Sequence, residues 1–300
     1  MIKRTLYIEN PCNLRKKDMQ FLIEFPESEK KNASIPIEDI GLVILDHPSI
    51  TLTNALVMAL NVNNTPVISC DVSHMPFGLM LPMFSHHAFT EIFQSQIKSS
   101  RPLLKNLWQQ TVKAKVENQS ALLRREGIDT KKLDFLASTI KSGDPRNVEG
   151  RAAAYYWENL FGERAFLRNR FGEPPNNMLN YGYAILRAIV ARALVASGLF
   201  PSIGIHHKNK YNPYCLADDI MEPYRPYVDC LVLTISKETD TMEDLTPYLK
   251  KKLLQIPVLD IVIDGKDSPL MIGVQRTTAS LASCFEGITR KIIYPEFSYP

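Results

Sequence analysis

The 300 residues of this chain are about twice the length of a usual domain, so two domains are expected and a sizeable core is available. Hydrophobic residues make up 45%, charged residues 22% and aromatics 9%, a balance that excludes a disordered or collagen-like chain. Thirty-five Lys and Arg against 32 Asp and Glu leave a formal charge of +3, which permits an acidic partner without requiring one.

At the start, Lys3-Arg4 is followed by Glu9, Asn10 and Pro11 before any apolar run of signal-peptide length, so export by that route is not expected. Strand signals cover residues 5–9, 19–25 and 35–45, punctuated by Pro11, Pro26 and Pro48. A helical segment over 53–60 and a short strand over 65–70 follow. Residues 74–87 carry Pro76, Pro82, Gly78 and three of the six histidines, a composition suited to a linker, and place a domain boundary near residue 85. Beyond residue 90 the period turns helical over 91–125, 145–170 and 178–198, with further helices between 246 and 293. The apolar stretch 178–198 contains Asn180, Arg187 and Arg192, so it reads as a buried core helix and not a membrane span. Gly198 and Pro201 stop that helix and leave His206 and His207 in a connection. Strands followed by helices predict an α+β protein: a β-rich domain over 1–85, then a larger, mostly α-helical domain over 86–300. The five cysteines, at 12, 70, 215, 230 and 284, are odd in number and form no CxxC pair. Neither a disulfide framework nor a thiolate zinc site is expected, and a reducing cytoplasm fits best.

Three constellations can carry chemistry. In Asp144-Pro145-Arg146-Asn147-Val148-Glu149, Asp144 suits a helix cap and Pro145 the first helical position. Positions 149, 152, 153, 156 and 160 then share a stripe that is apolar except for Glu149. A carboxylate there requires a cation: an arginine such as Arg187 or Arg192, or a metal. Next, Asp218, Asp219 and Glu222 put three carboxylates into five positions. On one helix they repel by roughly 0.2–0.5 kcal/mol per pair, and a divalent ion would reverse the sign. The alternative is a capping box with Asp219 at the cap and Glu222 three residues on. An imidazole from the His206-His207 pair, itself a weak signal, would make an oxygen-rich site with one nitrogen ligand, suited to Mg²⁺ or Mn²⁺. Finally, residues 98–132 hold nine basic side chains (Lys98, Arg101, Lys105, Lys113, Lys115, Arg124, Arg125, Lys131, Lys132). Arg146, Arg151, Arg164, Arg168, Arg170, Lys208 and Lys210 extend that charge, either as a phosphate-binding face or as solvated helix surface. Acidic metal ligands beside basic backbone contacts suit phosphodiester chemistry. No P-loop, GxGxxG, HExxH or GxSxG motif is present.

Gly204-Ile205-His206-His207, the stretch Ala217-Asp218-Asp219-Ile220-Met221-Glu222-Pro223-Tyr224-Arg225-Pro226-Tyr227 and the upstream Asn147-Val148-Glu149-Gly150-Arg151-Ala152-Ala153 together resemble one family, the first CRISPR-associated (Cas) protein. The resemblance covers nearly the whole chain and is most like the form that accompanies type II systems. It implies a spacer-acquisition integrase: metal-dependent strand transfer of a short protospacer DNA into the repeat of a CRISPR array, with associated endonuclease activity. It further implies Glu149, His207 and Glu222 as catalytic metal ligands supported by Asp219, with Mg²⁺ or Mn²⁺ as cofactor. The implied partners are double-stranded DNA, a second copy in a homodimer, a smaller second Cas protein and other type II Cas proteins. The β-rich domain would serve dimerisation and partner contact, while the helical domain would hold the site and the DNA. Because one phosphodiester replaces another, no ATP site is needed. The rival readings are a metal-dependent nuclease acting on branched DNA and a non-catalytic DNA-binding scaffold.

Overall fold

The computed structural model describes residues 3–26, 30–83, 85–162, 166–239 and 242–298. The chain divides into two compact units, Met1–His87 and Ala88–Pro300, close to the boundary expected near residue 85.

The first unit contains β1 (Arg4–Ile8), β2 (Cys12–Lys17), β3 (Gln20–Glu24), β4 (Ala33–Pro36), β5 (Ile40–Leu45), β6 (Ile50–Leu52), α1 (Asn54–Val62), β7 (Val67–Cys70) and β8 (Pro76–Met80). They form two four-stranded sheets, ordered β1-β5-β7-β8 and β4-β3-β2-β6. Alternation sorts the faces: Phe21 and Ile23 point inward with Leu14 of the neighbouring strand and Leu56 and Leu60 of α1. The segment 35–45 is not one strand, because a 3₁₀ turn at Ile37–Asp39 bends the chain between sheets. Nor is 74–87 all linker. Pro76–Met80 pairs antiparallel with β7, and its proline is tolerated because it opens an edge strand that needs no N–H there.

The second unit is mostly helical: α2 (Phe89–Ile97), α3 (Arg101–Arg125), α4 (Lys131–Thr139), α5 (Val148–Leu160), α6 (Asn176–Ala196), α7 (Cys215–Met221), α8 (Arg225–Glu238), α9 (Pro247–Leu253) and α10 (Leu270–Phe285). A small sheet ordered β10-β9-β11 joins Asp260–Ile263 (β9), Lys266–Pro269 (β10) and Pro295–Glu296 (β11). The architecture is α+β with a β-rich N-terminal region. By length and composition α6 could cross a bilayer, but 83% of its apolar window is buried inside the protein, against α7, α8 and α10. Helix α5 stops at Leu160, short of the expected 170, and α8 begins at Arg225, in a stretch where only the capping-box alternative, with its helix starting after Asp219, implied one.

Helix α3 is the spine of this unit. Trp108, Val112, Val116 and Leu123 are buried along it, as is Asn118. Asn118 is a polar clamp: its Nδ2 donates to Pro223 O at 2.8 Å and to Pro295 O at 3.1 Å, and its Oδ1 accepts from Phe297 N at 2.9 Å. One side chain thus ties the α7–α8 junction and the C-terminal segment to α3. Asn118→Ala leaves these buried groups without partners and is expected to cost about 3 kcal/mol, whereas truncating exposed Asn106 should cost at most about 0.5 kcal/mol. Urea unfolding of the two variants measures the difference, and equal midpoints would contradict it.

Candidate active site

Glu149 stands on the first turn of α5, whose start is capped more heavily than the sequence suggests. The helix begins at Val148, not at Pro145. Asn147 is the cap and accepts from Gly150 N at 3.2 Å. Asp144 reaches in from the preceding turn to accept from Val148 N at 2.8 Å and Glu149 N at 3.0 Å. Three otherwise unpaired N–H groups are thereby satisfied, and Glu149 sits where the helix dipole favours a negative charge.

His207 lies in the connection between α6 and α7. Fully buried Asp219 organises that loop: Oδ2 accepts from His206 N at 2.9 Å, while Oδ1 accepts from His207 N at 3.2 Å and meets His207 Nδ1 at 2.5 Å. A carboxylate only accepts, so the imidazole donates from Nδ1, and in its neutral form Nε2 carries the free lone pair. Gly204 is required for this packing. A Cβ there would stand 2.5 Å from His207 O and 2.7 Å from Asp219 Oδ2. His206 stacks flat on Trp108, with centroids 4.1 Å apart and planes 2° apart, and His207 meets the same indole edge-on at 5.7 Å.

Glu222 opens the 3₁₀ turn Glu222–Tyr224 between α7 and α8. Its Oε1 is 3.0 Å from Arg225 Nη2, and its Oε2 is 2.6 Å from Lys115 Nζ. The same Lys115 nitrogen donates to Glu149 Oε1 at 2.7 Å. The cation expected beside Glu149 is therefore Lys115 of α3, and neither Arg187 nor Arg192 takes that place. Burial works against the charge of both Lys115 and Glu222. The two glutamates nevertheless raise the Lys115 pKa, and Arg225 with Lys115 holds Glu222 below the usual carboxylate range.

The three clustered carboxylates go separate ways. Asp218 binds Arg187 Nε at 2.6 Å and Asn212 Nδ2 at 2.7 Å, Asp219 holds the histidine loop, and Glu222 meets Lys115. The capping-box alternative fails, because Asp218 and Asp219 lie inside α7 and Tyr214 occupies its cap position. Among the described residues, no three His, Cys, Asp or Glu side chains already form a metal cage. What the structure brings together is Glu149 with Glu222 through one shared cation. His207 is near enough that both glutamates raise its pKa along with Asp219.

Behind Glu222, the Arg225 guanidinium lies 4.7 Å from the Tyr183 ring centre. The hydroxyls of Tyr183 and Tyr156 both donate to buried Asp229, whose carboxyl burial pushes up to about 7.

The basic run 98–132 is not one free surface. Lys115 is internal, Lys113 faces Glu117 at 3.7 Å, Arg124 binds Asp134 at 3.0 Å and Lys132 caps the Tyr155 ring. Arg168 braces Asn176 and Asn180, and Arg164 lies outside the described residues. Arg101, Lys105 and Lys208 instead line a cavity of about 340 Å³ whose wall includes Trp108 and His206, next to the site. Sequence reasoning missed Lys115 and Trp108 as site residues. Their signal was the buried stripe 108-111-112-115-119 of α3, where a lysine implies an internal anion.

Fold and site together define an α+β chain whose helical unit gathers glutamate, histidine and aspartate from three segments. The family model for CRISPR associated protein Cas1 matches residues 6–256. The CRISPR-associated endonuclease Cas1 of Neisseria meningitidis serogroup C (strain 8013) is 34% identical over 293 residues, 97% of this chain and 94% of the relative. The chain belongs to the Cas1 family. Among solved structures it resembles a casposase bound to integration product, with TM-score 0.78, 22% identity and coverage of 99% and 95%. It also resembles a Cas6-RT-Cas1–Cas2 complex, with TM-score 0.73, 18% identity and coverage of 99% of this chain and 36% of that one. These two likenesses describe the fold.

The His207 pKa is raised first by its hydrogen bond to Asp219, against burial, which lowers it. The resulting stabilisation is present below the ordinary histidine value of about 6.5 and is lost as pH rises through the raised folded value. Asp219→Asn should move the His207 NMR titration downward. Its destabilisation relative to wild type should be largest at acid pH and shrink as the raised value is passed. An unchanged titration would show that Asp219 does not tune this imidazole.

Proposed function

We propose that this chain is a CRISPR adaptation enzyme that joins DNA by metal-dependent strand transfer. A 3′-hydroxyl of a short protospacer attacks a phosphodiester at the repeat border, one P–O bond forms as another breaks, and the displaced 3′-oxygen leaves on the repeat strand. The observation that carries the reading is the pair Glu149 and Glu222 converging on one cation position, with His207 held beside it by Asp219. Family membership supports it, as does a fold shared with a casposase bound to integration product.

The donor set fits a divalent ion. Two carboxylates already share a stand-in cation, the Lys115 ammonium, and an imidazole with its Nδ1 engaged offers Nε2. Glu149, His207 and Glu222 would hold Mg²⁺ or Mn²⁺, which when bound supplies Lewis-acid stabilisation of charge on the phosphodiester. The chain's own residues do the rest. Asp219 fixes the imidazole tautomer and Gly204 lets the histidine loop close against it. Arg225 keeps one oxygen of Glu222 from turning away, and Arg101, Lys105 and Lys208 attract the flanking phosphates. Double-stranded DNA, a second copy of the chain and a smaller second Cas protein are the partners this reading calls for, the last in line with the fold shared with a Cas1–Cas2 complex. Further type II Cas proteins follow from the same reading, and a reducing cytoplasm suits five cysteines that are not joined in disulfides.

A second reading, hydrolysis of branched DNA with water in place of the 3′-hydroxyl, is favoured by the Neisseria relative's name. Products separate the two. With short 3′-hydroxyl duplexes, a repeat-bearing plasmid, the partner protein and Mg²⁺ or Mn²⁺, joined DNA is expected. Cleavage without joining supports the nuclease. Glu149→Ala should abolish joining while leaving DNA affinity within a few-fold, and excess chelator should silence the wild type; joining that survives either change would overturn the metal-dependent reading. DNA affinity should fall with salt at a log–log slope of about 0.9 per phosphate neutralised, and the Arg101→Ala/Lys105→Ala/Lys208→Ala variant should flatten that slope. An unchanged slope would place the DNA elsewhere.

A further inference from the structure

We propose that Lys115 is the resident counter-cation of the Glu149–Glu222 pair, and that a divalent ion enters only by displacing its ammonium. The inference rests on the metal-dependent reading above and assigns Lys115 a positioning role in it.

Lys115 belongs to the buried stripe of α3, its side chain 10% exposed, and its Nζ lies 2.7 Å from Glu149 Oε1 and 2.6 Å from Glu222 Oε2. A buried ammonium needs such partners, and two carboxylates brought this close need such a cation. Arg225 occupies the other oxygen of Glu222 at 3.0 Å. Lys115, Arg225, Glu149 and Glu222 therefore balance as two cations and two anions before any metal arrives, with Asp219, held on His207, as a further carboxylate beside them. A divalent ion added to that neutral set would meet an uncompensated excess of positive charge in a poorly solvated place, so one cation must leave.

The two candidates to leave differ. Arg225 is planar and rests on the Tyr183 ring, 4.7 Å from its centre, beside the Tyr183–Asp229 hydrogen bond. Lys115 ends in a compact ammonium on a flexible four-carbon stem, with both of its close partners being the prospective metal ligands. Lys115 is the one that gives way.

Metal binding is then an exchange, and its affinity is the intrinsic affinity reduced by the strength of the Lys115 pairs. A DNA phosphate in the site would offer the released ammonium a new partner, so metal and DNA should each strengthen the binding of the other.

The test measures Mn²⁺ by the loss of its free-ion EPR signal, on the full chain without DNA, for wild type, Lys115→Met and Lys115→Gln. Removing the competitor should tighten Mn²⁺ binding by roughly tenfold or more in both variants. The metal-free variants should also melt below the wild type and gain more from saturating Mn²⁺ than it does. Glutamine can still donate to a carboxylate, so Lys115→Gln carries the measurement where Lys115→Met does not fold. Wild-type or weaker Mn²⁺ affinity in the variants would make Lys115 a structural brace and overturn the inference while leaving the metal reading intact. Failure of wild type and variants alike to take Mn²⁺ would overturn both.

Discussion

A cation held between Glu149 and Glu222 is the constraint on which the helical unit depends. The two glutamates come from helix starts about seventy residues apart, and nothing in either local segment would bring them together, since alone they repel. Lys115 converts that repulsion into a joint between α3, α5 and the α7–α8 junction. Burial raises the stakes: once the three groups leave water, each is costly without the others, so removing any one exposes the remainder. The arrangement is therefore both a structural joint and a place already shaped around positive charge.

The surrounding polar groups are arranged so that each carboxylate has its own work. Asp218 is neutralised by Arg187, Asp219 spends both oxygens on the histidine loop, and Asp144 spends both on the first turn of α5. Only Glu149 and Glu222 face a shared position. Such sorting places Asp219 behind His207 as the residue that sets its tautomer and raises its proton affinity.

Much of this was legible in sequence because it is local. The helix stop at Gly198 and Pro201 put His206 and His207 in a connection, whereas the close approach at Gly204 emerges only from the packing of His207 and Asp219 around it. The carboxylate on the apolar stripe of α5 announced a buried cation. What could not be read was which cation, because spacing within α5 says nothing of a lysine 34 residues upstream on another helix. Asp218, Asp219 and Glu222 read as one cluster because they are adjacent. Asp218 and Asp219 are successive in α7 and point about 100° apart, and Glu222 stands at the start of the 3₁₀ turn, so each meets a different neighbouring element, a detail no periodicity encodes. The edge strand at Pro76–Met80 was hidden by its proline for the same kind of reason: its role depends on which neighbour it lacks.

The clamp made by Asn118 joins events that are far apart in time. Glu222 and its turn are synthesised some seventy residues before Pro295 and Phe297, yet the asparagine that steadies the turn takes its other partners from that later segment. The turn under Glu222 is therefore finished only when residues some seventy positions further along the chain have docked on α3, so its steadiness is a long-range property and not one of the local helix.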